Sequence, residues 1–188
     1  APQNGYLNRS RVSLDYIPRD NNHPYRPAII FRMAEAYLSY AEALNESSER
    51  MSHKQEILDN LNKIRHRAGI AEYGTGTDEN GFTRIKINFS DQKEVRRLIH
   101  KERRVEFVGE GVRYHDLRRW KTAHYGIGNL NEQGENPDWG VNGPDYGMNY
   151  YGTEYTDQGD NAFFKRTKYM DRVYPRKFYW YPIHQSEI

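Results

Sequence analysis

The chain has 188 residues, enough for one domain, and its 28 Lys and Arg against 26 Asp and Glu leave a net charge of +2, which favours neither nucleic acid nor an anionic membrane as a partner. No cysteine is present, so disulfides, thiolate catalysis and Cys-based zinc sites are excluded from this sequence. The hydrophobic fraction of 36% includes 16 tyrosines, so aromatic side chains or a larger protein must supply much of the core.

Two helices are predicted in the first part of the chain. Apolar residues recur at helical spacing from Arg32 to Leu44. A second helix is predicted from a capping box at Ser52 to Ala68, where Gly69 supplies the left-handed residue that ends it. Two helices joined by a short loop form an antiparallel hairpin.

Two more helices are predicted further along. Residues 71–89 indicate a loop with a strand-like piece from Arg84 to Phe89. Ser90 is the expected cap of a third helix that runs from Asp91 to about Val108. The glycines at 109 and 111 interrupt it, and a fourth helix carries Leu117 and Trp120.

The remainder of the chain is predicted to be irregular. The stretch from Gly126 to Asn161 is rich in Gly, Asn, Asp and Tyr and almost free of aliphatic residues, which indicates a long loop, and such loops are usually functional or mobile. The aromatic end of the chain contains two prolines and is predicted to be extended. No apolar run approaches the ~20 residues that span a bilayer, and no export signal is recognisable.

The third helix brings carboxylates close to an apolar face. Val95, Leu98 and Val105 share one side of it with Glu102, and Glu106 lies beside them. We predict that these carboxylates and Arg113, with Arg32 or Arg65 from the hairpin, form a buried network of paired charges that holds the helices in register. The alternative is a catalytic carboxylate pair, which needs a defined separation across a cleft that spacing along one helix cannot show.

Other charged motifs favour no chemistry. A basic stripe on the opposite face of the third helix is predicted to be solvated, because no nucleic-acid motif accompanies it; it comprises Lys93, Arg97, Lys101 and Arg104. The His115-Asp116 pair stands without further ligands at metal-binding spacing. The sequence therefore predicts no catalytic residue, no metal site and no cofactor.

The long loop holds the candidate ligand-binding residues. Its aromatic side chains alternate with Asn and Asp, and flat apolar faces beside planar hydrogen-bonding groups suit sugar rings or peptide backbone. The alternative is that the aromatics only anchor the loop to the protein. The candidates are Trp139, Tyr146, Tyr150, Tyr151 and Tyr155.

Four blocks of sequence resemble the carboxy-terminal half of the SusD/RagB family. They are "FRMAEAYLSYAEALNE", "LNKIRHRAGI", "HKERRVEFVGEGVRYHDLRRW" and "FYWYPIHQSEI". They follow the order of the family and cover residues 26–121 and 174–188. The family signature is matched at Glu102, Arg103, Glu106, Gly109, Arg113, Asp116, Arg119 and Trp120.

The resemblance implies a mainly α fold with helix hairpins of tetratricopeptide-like type, long irregular loops and a few short strands. Residues 1–188 would be a single unit, the carboxy-terminal part of a longer protein whose amino-terminal part, with an export signal and a lipid-bearing cysteine, is absent from this chain. His184 stands where the family usually has a second proline. The signature residues would be structural, which places Asp116 with Glu102, Glu106 and Arg113 in the network.

The resemblance also implies a function. Members of the family are non-enzymatic lipoproteins on the extracellular face of the outer membrane, held there by an amino-terminal lipid anchor. They capture oligosaccharides and deliver them to a SusC-like, TonB-dependent transporter. The expected function is therefore oligosaccharide binding, with peptide binding of the RagB kind or an accessory role in polysaccharide hydrolysis as alternatives.

Overall fold

The computed structural model describes residues 29–126, 140–148 and 166–180. They fall into two compact units, the first holding the described residues up to Arg113 and the second those from Tyr114 onward. The first is built from helices, and the second combines the end of a helix with a two-stranded sheet. The predicted mainly α fold with a few short strands is confirmed.

The first two helices form the predicted antiparallel hairpin. They are α1 (Met33–Glu46) and α2 (Lys54–Ala68), which ends as predicted at Gly69 with φ of 66°. The Lys63 ammonium lies 4.5 Å from the Tyr37 ring centroid, and the Tyr40 hydroxyl donates to Glu56 at 2.7 Å. Ser52 is not the cap of α2, because it lies in the turn before His53, the residue at the cap position.

Helix α3 (Gln92–Glu106) packs antiparallel against α1. The side-chain amide of Gln92 donates to the Asn45 carbonyl at 2.7 Å, and Arg103 donates to the Ser39 hydroxyl at 3.0 Å. The cap is Asp91 and not the predicted Ser90, since the Asp91 carboxylate accepts from two backbone N–H groups of the first turn. Within the described residues these three helices enclose one core, whose buried members are Ala34, Leu38, Ala41, Ile57, Leu61, Ile64, Tyr73, Val95, Ile99 and Phe107.

The buried face of α3 differs from the predicted one. Val95 and Ile99 are fully buried, whereas Val105 is 63% exposed. Ile99 lies at the centre of the buried face. Val105 is six residues further along, and at 3.6 residues per turn its side chain lies about 120° away from Ile99 around the helix axis. The basic stripe is exposed at all four positions, as predicted.

The segment between α2 and α3 is a loop with two isolated bridges. Tyr73 pairs with Ile85 and Thr77 with Thr83, so the strand-like piece predicted from Arg84 to Phe89 is not a strand. The Asp78 carboxylate accepts backbone hydrogen bonds from Phe82, Asn80 and Glu72 at 2.8, 3.0 and 3.2 Å. Burial raises the pKa of Asp78, but these bonds outweigh it and lower the pKa below its ordinary value.

Helix α4 (Val112–Arg119) follows the predicted glycine joint, in which Gly109 and Gly111 both have φ near 80°. Such positive values are strained for any residue with a Cβ, which is why glycines occupy the joint. The carboxy-terminal part of α4 belongs to the second unit.

The second unit also contains a β-hairpin that the sequence did not predict. Strand β1 (Gly143–Met148) pairs antiparallel with β2 (Arg166–Arg172), from Gly143 opposite Arg172 to Met148 opposite Arg166. A long loop was predicted from Gly126 to Asn161, and over the six residues of β1 that prediction is wrong. Residues 176–179 form a 3₁₀ helix where an extended segment was expected.

Among the described helices, none is both long and apolar enough to traverse a lipid bilayer.

Candidate functional site

A cleft of about 910 Å³ in the second unit is the candidate site. Four aromatic and four basic side chains line it, together with Thr122 and His124. The aromatic residues are Trp120, Tyr125, Tyr179 and Trp180, and the basic residues are Arg118, Arg119, Lys121 and Arg176. We name this feature the aromatic–basic cleft.

Two chain segments bring these side chains together. One is the end of α4 with the turn that follows it, and the other is the 3₁₀ helix with Trp180. Lys121 reverses the chain after α4 with φ of 56°, and among the described residues it alone has a positive φ without being glycine. The turn is closed by Thr122, whose backbone N–H donates to the Leu117 carbonyl at 3.0 Å.

Asn142 fastens the scaffold behind the cleft. Its side-chain amide donates to the carbonyls of His124 and Tyr174, at 2.6 and 3.2 Å, and its side-chain oxygen accepts from the Tyr174 backbone N–H. One residue earlier, the Val141 N–H donates to the Ala123 carbonyl at 3.1 Å. Three segments that are distant in sequence are therefore held at one point, with Leu117, Ala123 and Tyr174 buried around it.

Tyr179 joins the 3₁₀ helix to the turn after α4. Its hydroxyl shares a hydrogen bond with His124 Nδ1 at 2.8 Å and accepts from the His124 backbone N–H at 3.2 Å. Burial raises the pKa of Tyr179 above its ordinary value, although the backbone donors oppose the rise. The phenol is therefore neutral at physiological pH and contributes its ring and its hydrogen bonds to the wall of the cleft.

The four cations of the cleft have different surroundings. Arg118 donates to the carbonyls of Phe178 and Tyr179, at 2.7 and 2.5 Å, and so supports the 3₁₀ helix. Arg119 donates to the buried Asp116 carboxylate at 2.9 Å, and its guanidinium lies 4.9 Å from the Trp120 ring. Lys121 and Arg176 also line the cleft, and both residues are exposed.

Of the five predicted ligand-binding residues, only Tyr146 lies among the described residues. Trp139, Tyr150, Tyr151 and Tyr155 fall outside them. Tyr146 is on β1, outside the set that lines the aromatic–basic cleft. The Arg166 guanidinium lies 4.3 Å from its ring centroid, so one face of the ring is already covered.

Glu102 is held by partners from outside α3. Its carboxylate is buried, accepts from Arg65 at 2.5 Å and from the Tyr73 hydroxyl at 2.8 Å. Burial and the negative charge of Glu102 raise the pKa of Tyr73 well above its ordinary value, so Tyr73 stays a neutral hydrogen-bond donor.

Glu106 belongs to a different set of ion pairs. Arg32 and Arg67 both contact its carboxylate, and Arg32 also donates to Glu110 at 2.9 Å. Arg113 is half-buried in the first turn of α4. Asp116 is buried in the second unit with Arg119. The structure thus divides the four proposed network residues among different sets of contacts, and neither Glu102 nor Glu106 lines the described clefts.

The residues of the aromatic–basic cleft were not proposed as ligand contacts from the sequence. A signal was present, because both segments interleave basic with aromatic residues, as "RRWKTAHY" at 118–125 and "YPRKFYW" at 174–180. Only the fold shows that the two segments meet. As for metals, the described ranges contain no group of three or more His, Asp or Glu side chains placed to hold an ion.

Comparison with known proteins defines the class. The sequence profile of the SusD family matches residues 1–188, and the chain belongs to this family. It is 32% identical over 109 residues to SusD-like protein P25 of Formosa agariphila, a match that covers 58% of this chain and 18% of that protein. It is likewise 32% identical over 103 residues to SusD-like protein P38 of the same organism, covering 55% of this chain and 19% of that protein. The matched part thus spans less than a fifth of these relatives, and no solved structure gives a significant match.

Proposed function

We propose that this protein binds an oligosaccharide nutrient on the extracellular face of the outer membrane and passes it, chemically unchanged, to a SusC-like, TonB-dependent transporter. The observation that carries the proposal is membership of the SusD family, whose profile matches residues 1–188. A lipid anchor in an amino-terminal part outside this chain would hold the protein at the membrane. No nucleic acid and no cofactor takes part.

The chemistry of the aromatic–basic cleft supports sugar as the ligand. Trp120 and Trp180 present flat apolar faces, which suit the C–H faces of pyranose rings. Arg119 and Thr122 supply hydrogen-bond donors that suit ring hydroxyls. Each contact with a sugar unit is weak, so affinity accumulates over several units, and a modest total affinity permits release to the transporter.

The tyrosine-rich stretch is proposed as a second set of contacts. It comprises Trp139, Tyr146, Tyr150, Tyr151 and Tyr155, and the proposal rests on their alternation with Asn and Asp in the sequence. The Arg166 guanidinium lies over one face of the Tyr146 ring, so a sugar would stack on the opposite face.

Two observations speak against hydrolysis by the α3 carboxylates and in the aromatic–basic cleft. A glycosidase needs two carboxylates that face one cleft. Glu102 is held by Arg65 and Tyr73, and Glu106 by arginines, and no carboxylate is among the described residues that line the aromatic–basic cleft. Incubation of the full-length protein with a polysaccharide should therefore release no new reducing ends over time.

The decisive experiment is calorimetric titration of the full-length protein with a panel of oligosaccharides and peptides. We expect binding of at least one saccharide and of no peptide. Trp139→Ala and Tyr151→Ala should each weaken that binding; if affinity is untouched, the tyrosine-rich stretch is not a contact region. Peptide binding without saccharide binding would favour the RagB-like alternative.

The transporter partnership has a separate test. Affinity purification of the full-length protein from outer membranes should recover a TonB-dependent barrel protein. Recovery of the barrel together with failure to bind any saccharide or peptide would indicate a scaffold role instead.

A further inference from the structure

The charged residues that the structure describes in the lining of the aromatic–basic cleft are all basic. Arg118, Arg119, Lys121 and Arg176 line it, and no Asp or Glu is among the described residues that do. Asp116, which is not among the described lining residues, is buried and contacts Arg119. A concave surface with one sign of charge and low-dielectric walls concentrates ligands of the opposite sign.

A groove in the first unit provides an internal comparison. It measures about 940 Å³, close to the size of the aromatic–basic cleft, and it also contains aromatic side chains. Its charges cancel, because the acids Asp59, Glu72 and Glu79 stand against the bases Lys63, Arg84 and Lys86. Glu72 and Arg84 are moreover paired with each other, at 2.8 Å. The excess of positive charge is therefore a property of the aromatic–basic cleft and not of every groove in this chain.

The positions of the cations indicate which ones meet a ligand. Arg118 is committed to the carbonyls of Phe178 and Tyr179 and shapes the wall. Lys121 and Arg176 are exposed residues of the lining, one on each of the two segments that form it. The hydroxyls of a neutral saccharide can replace part of the water that these charges lose on binding, but an anionic ligand adds charge-assisted hydrogen bonds that a neutral one cannot form.

We propose that the aromatic–basic cleft binds an anionic saccharide, a chain whose sugars carry carboxylate or sulfate groups. Trp120 and Trp180 stack on the sugar rings, and Lys121 and Arg176 contact the acidic substituents. The guanidinium of Arg119, which lies over Trp120, adds a planar donor group suited to two acceptor oxygens at once. This inference rests on the proposed function and narrows the nutrient to acidic oligosaccharides.

The test compares matched ligands on the full-length protein by calorimetry at low salt. One pair is an oligogalacturonate and its fully methyl-esterified form; the other is a sulfated galactan oligosaccharide and its desulfated form. We expect the acidic member of at least one pair to bind at least tenfold more tightly than the neutral member. Raising the salt from 0.1 to 1 M should weaken acidic binding, because the screening length falls from about 10 to about 3 Å.

Substitutions assign the binding to the cleft. The double variant Lys121→Gln with Arg176→Gln should lose roughly fivefold to twentyfold in affinity for the acidic ligand, as two partly exposed ion pairs imply. The control, Arg97→Gln with Lys101→Gln, changes the net charge equally on the exposed face of α3 and should leave affinity within twofold. Trp180→Ala should weaken acidic and neutral ligands alike, because ring stacking does not depend on ligand charge. Trp180 is 80% exposed, so we expect the fold to tolerate this change.

Each outcome bears on one level of the proposal. Equal binding of neutral and acidic ligands overturns the inference and leaves oligosaccharide binding in place. Acidic preference that survives the double variant overturns the assignment to this cleft. Absence of binding to any saccharide overturns the proposed function itself. Tighter binding of a single-stranded oligonucleotide than of any saccharide also overturns the inference, because stacked rings and cations suit that ligand as well.

Discussion

Removing the Glu102 carboxylate should strongly destabilise the first unit. Glu102→Ala leaves Arg65 without its buried anion and the Tyr73 hydroxyl without its acceptor. Breaking a buried ion pair from one side costs about 3–5 kcal/mol. Arg65 keeps a hydrogen bond to the Ala71 carbonyl, and its guanidinium still lies 4.3 Å from the Tyr73 ring. We therefore expect the lower end of the range, about 3 kcal/mol.

The measurement is urea unfolding of the full-length protein, with Glu102→Ala, Arg65→Ala and the double variant. The double variant should cost about 2 kcal/mol less than the sum of the single ones, because residues in contact share one interaction. The control is Asp171→Ala, which removes the partner of Lys168 in an exposed pair and should cost about 0.2–1 kcal/mol. A loss below 1 kcal/mol for Glu102→Ala, or additive single effects, would refute the reasoning that this network holds the helices together.

Three further predictions concern the scaffold of each unit. Asn142→Ala should destabilise the second unit by about 2–4 kcal/mol, because the Tyr174 N–H and two carbonyls lose their partners. The control is Asn88→Ala, since Asn88 is exposed and its side chain accepts from the Ser90 N–H; a smaller shift in thermal unfolding for Asn142→Ala than for this control would contradict the prediction. Gly140→Ala should lower the free energy of unfolding by about 1–3 kcal/mol, because a Cβ at this position would lie 2.0 Å from the Tyr125 carbonyl oxygen. Unchanged stability and an unchanged near-ultraviolet circular dichroism spectrum would contradict this prediction. Asp78 has a lowered pKa in the folded state, so its contribution is complete above the ordinary aspartate pKa of about 4 and is lost as the pH falls through the folded value. Urea midpoints between pH 5 and pH 2 should therefore fall more steeply for the wild type than for Asp78→Asn, and parallel curves would exclude the effect.

The helices of the first unit could be predicted because their signals are local. Periodic apolar residues, Gly69 after α2 and the glycine joint before α4 each act within one or two helical turns. The sequence blocks that form these helices are also the ones that resemble the SusD family. The pairing of Glu102 with Arg65 was among the alternatives considered, since buried charges require partners.

What the sequence determined by itself is therefore the helical framework and the family. Tertiary contacts decided the rest, because each remaining feature depends on residues far apart in the chain. Packing against α1 and α2 buries the side of α3 that carries Ile99 and leaves Val105 exposed. Strand β1 forms because β2 supplies its hydrogen-bond partners. The sequence of β1 has no alternating aliphatic residues that would predict a strand. The aromatic–basic cleft arises where residues 118–125 meet residues 176–180, held together by Asn142 and Arg118, and no local pattern encodes that meeting.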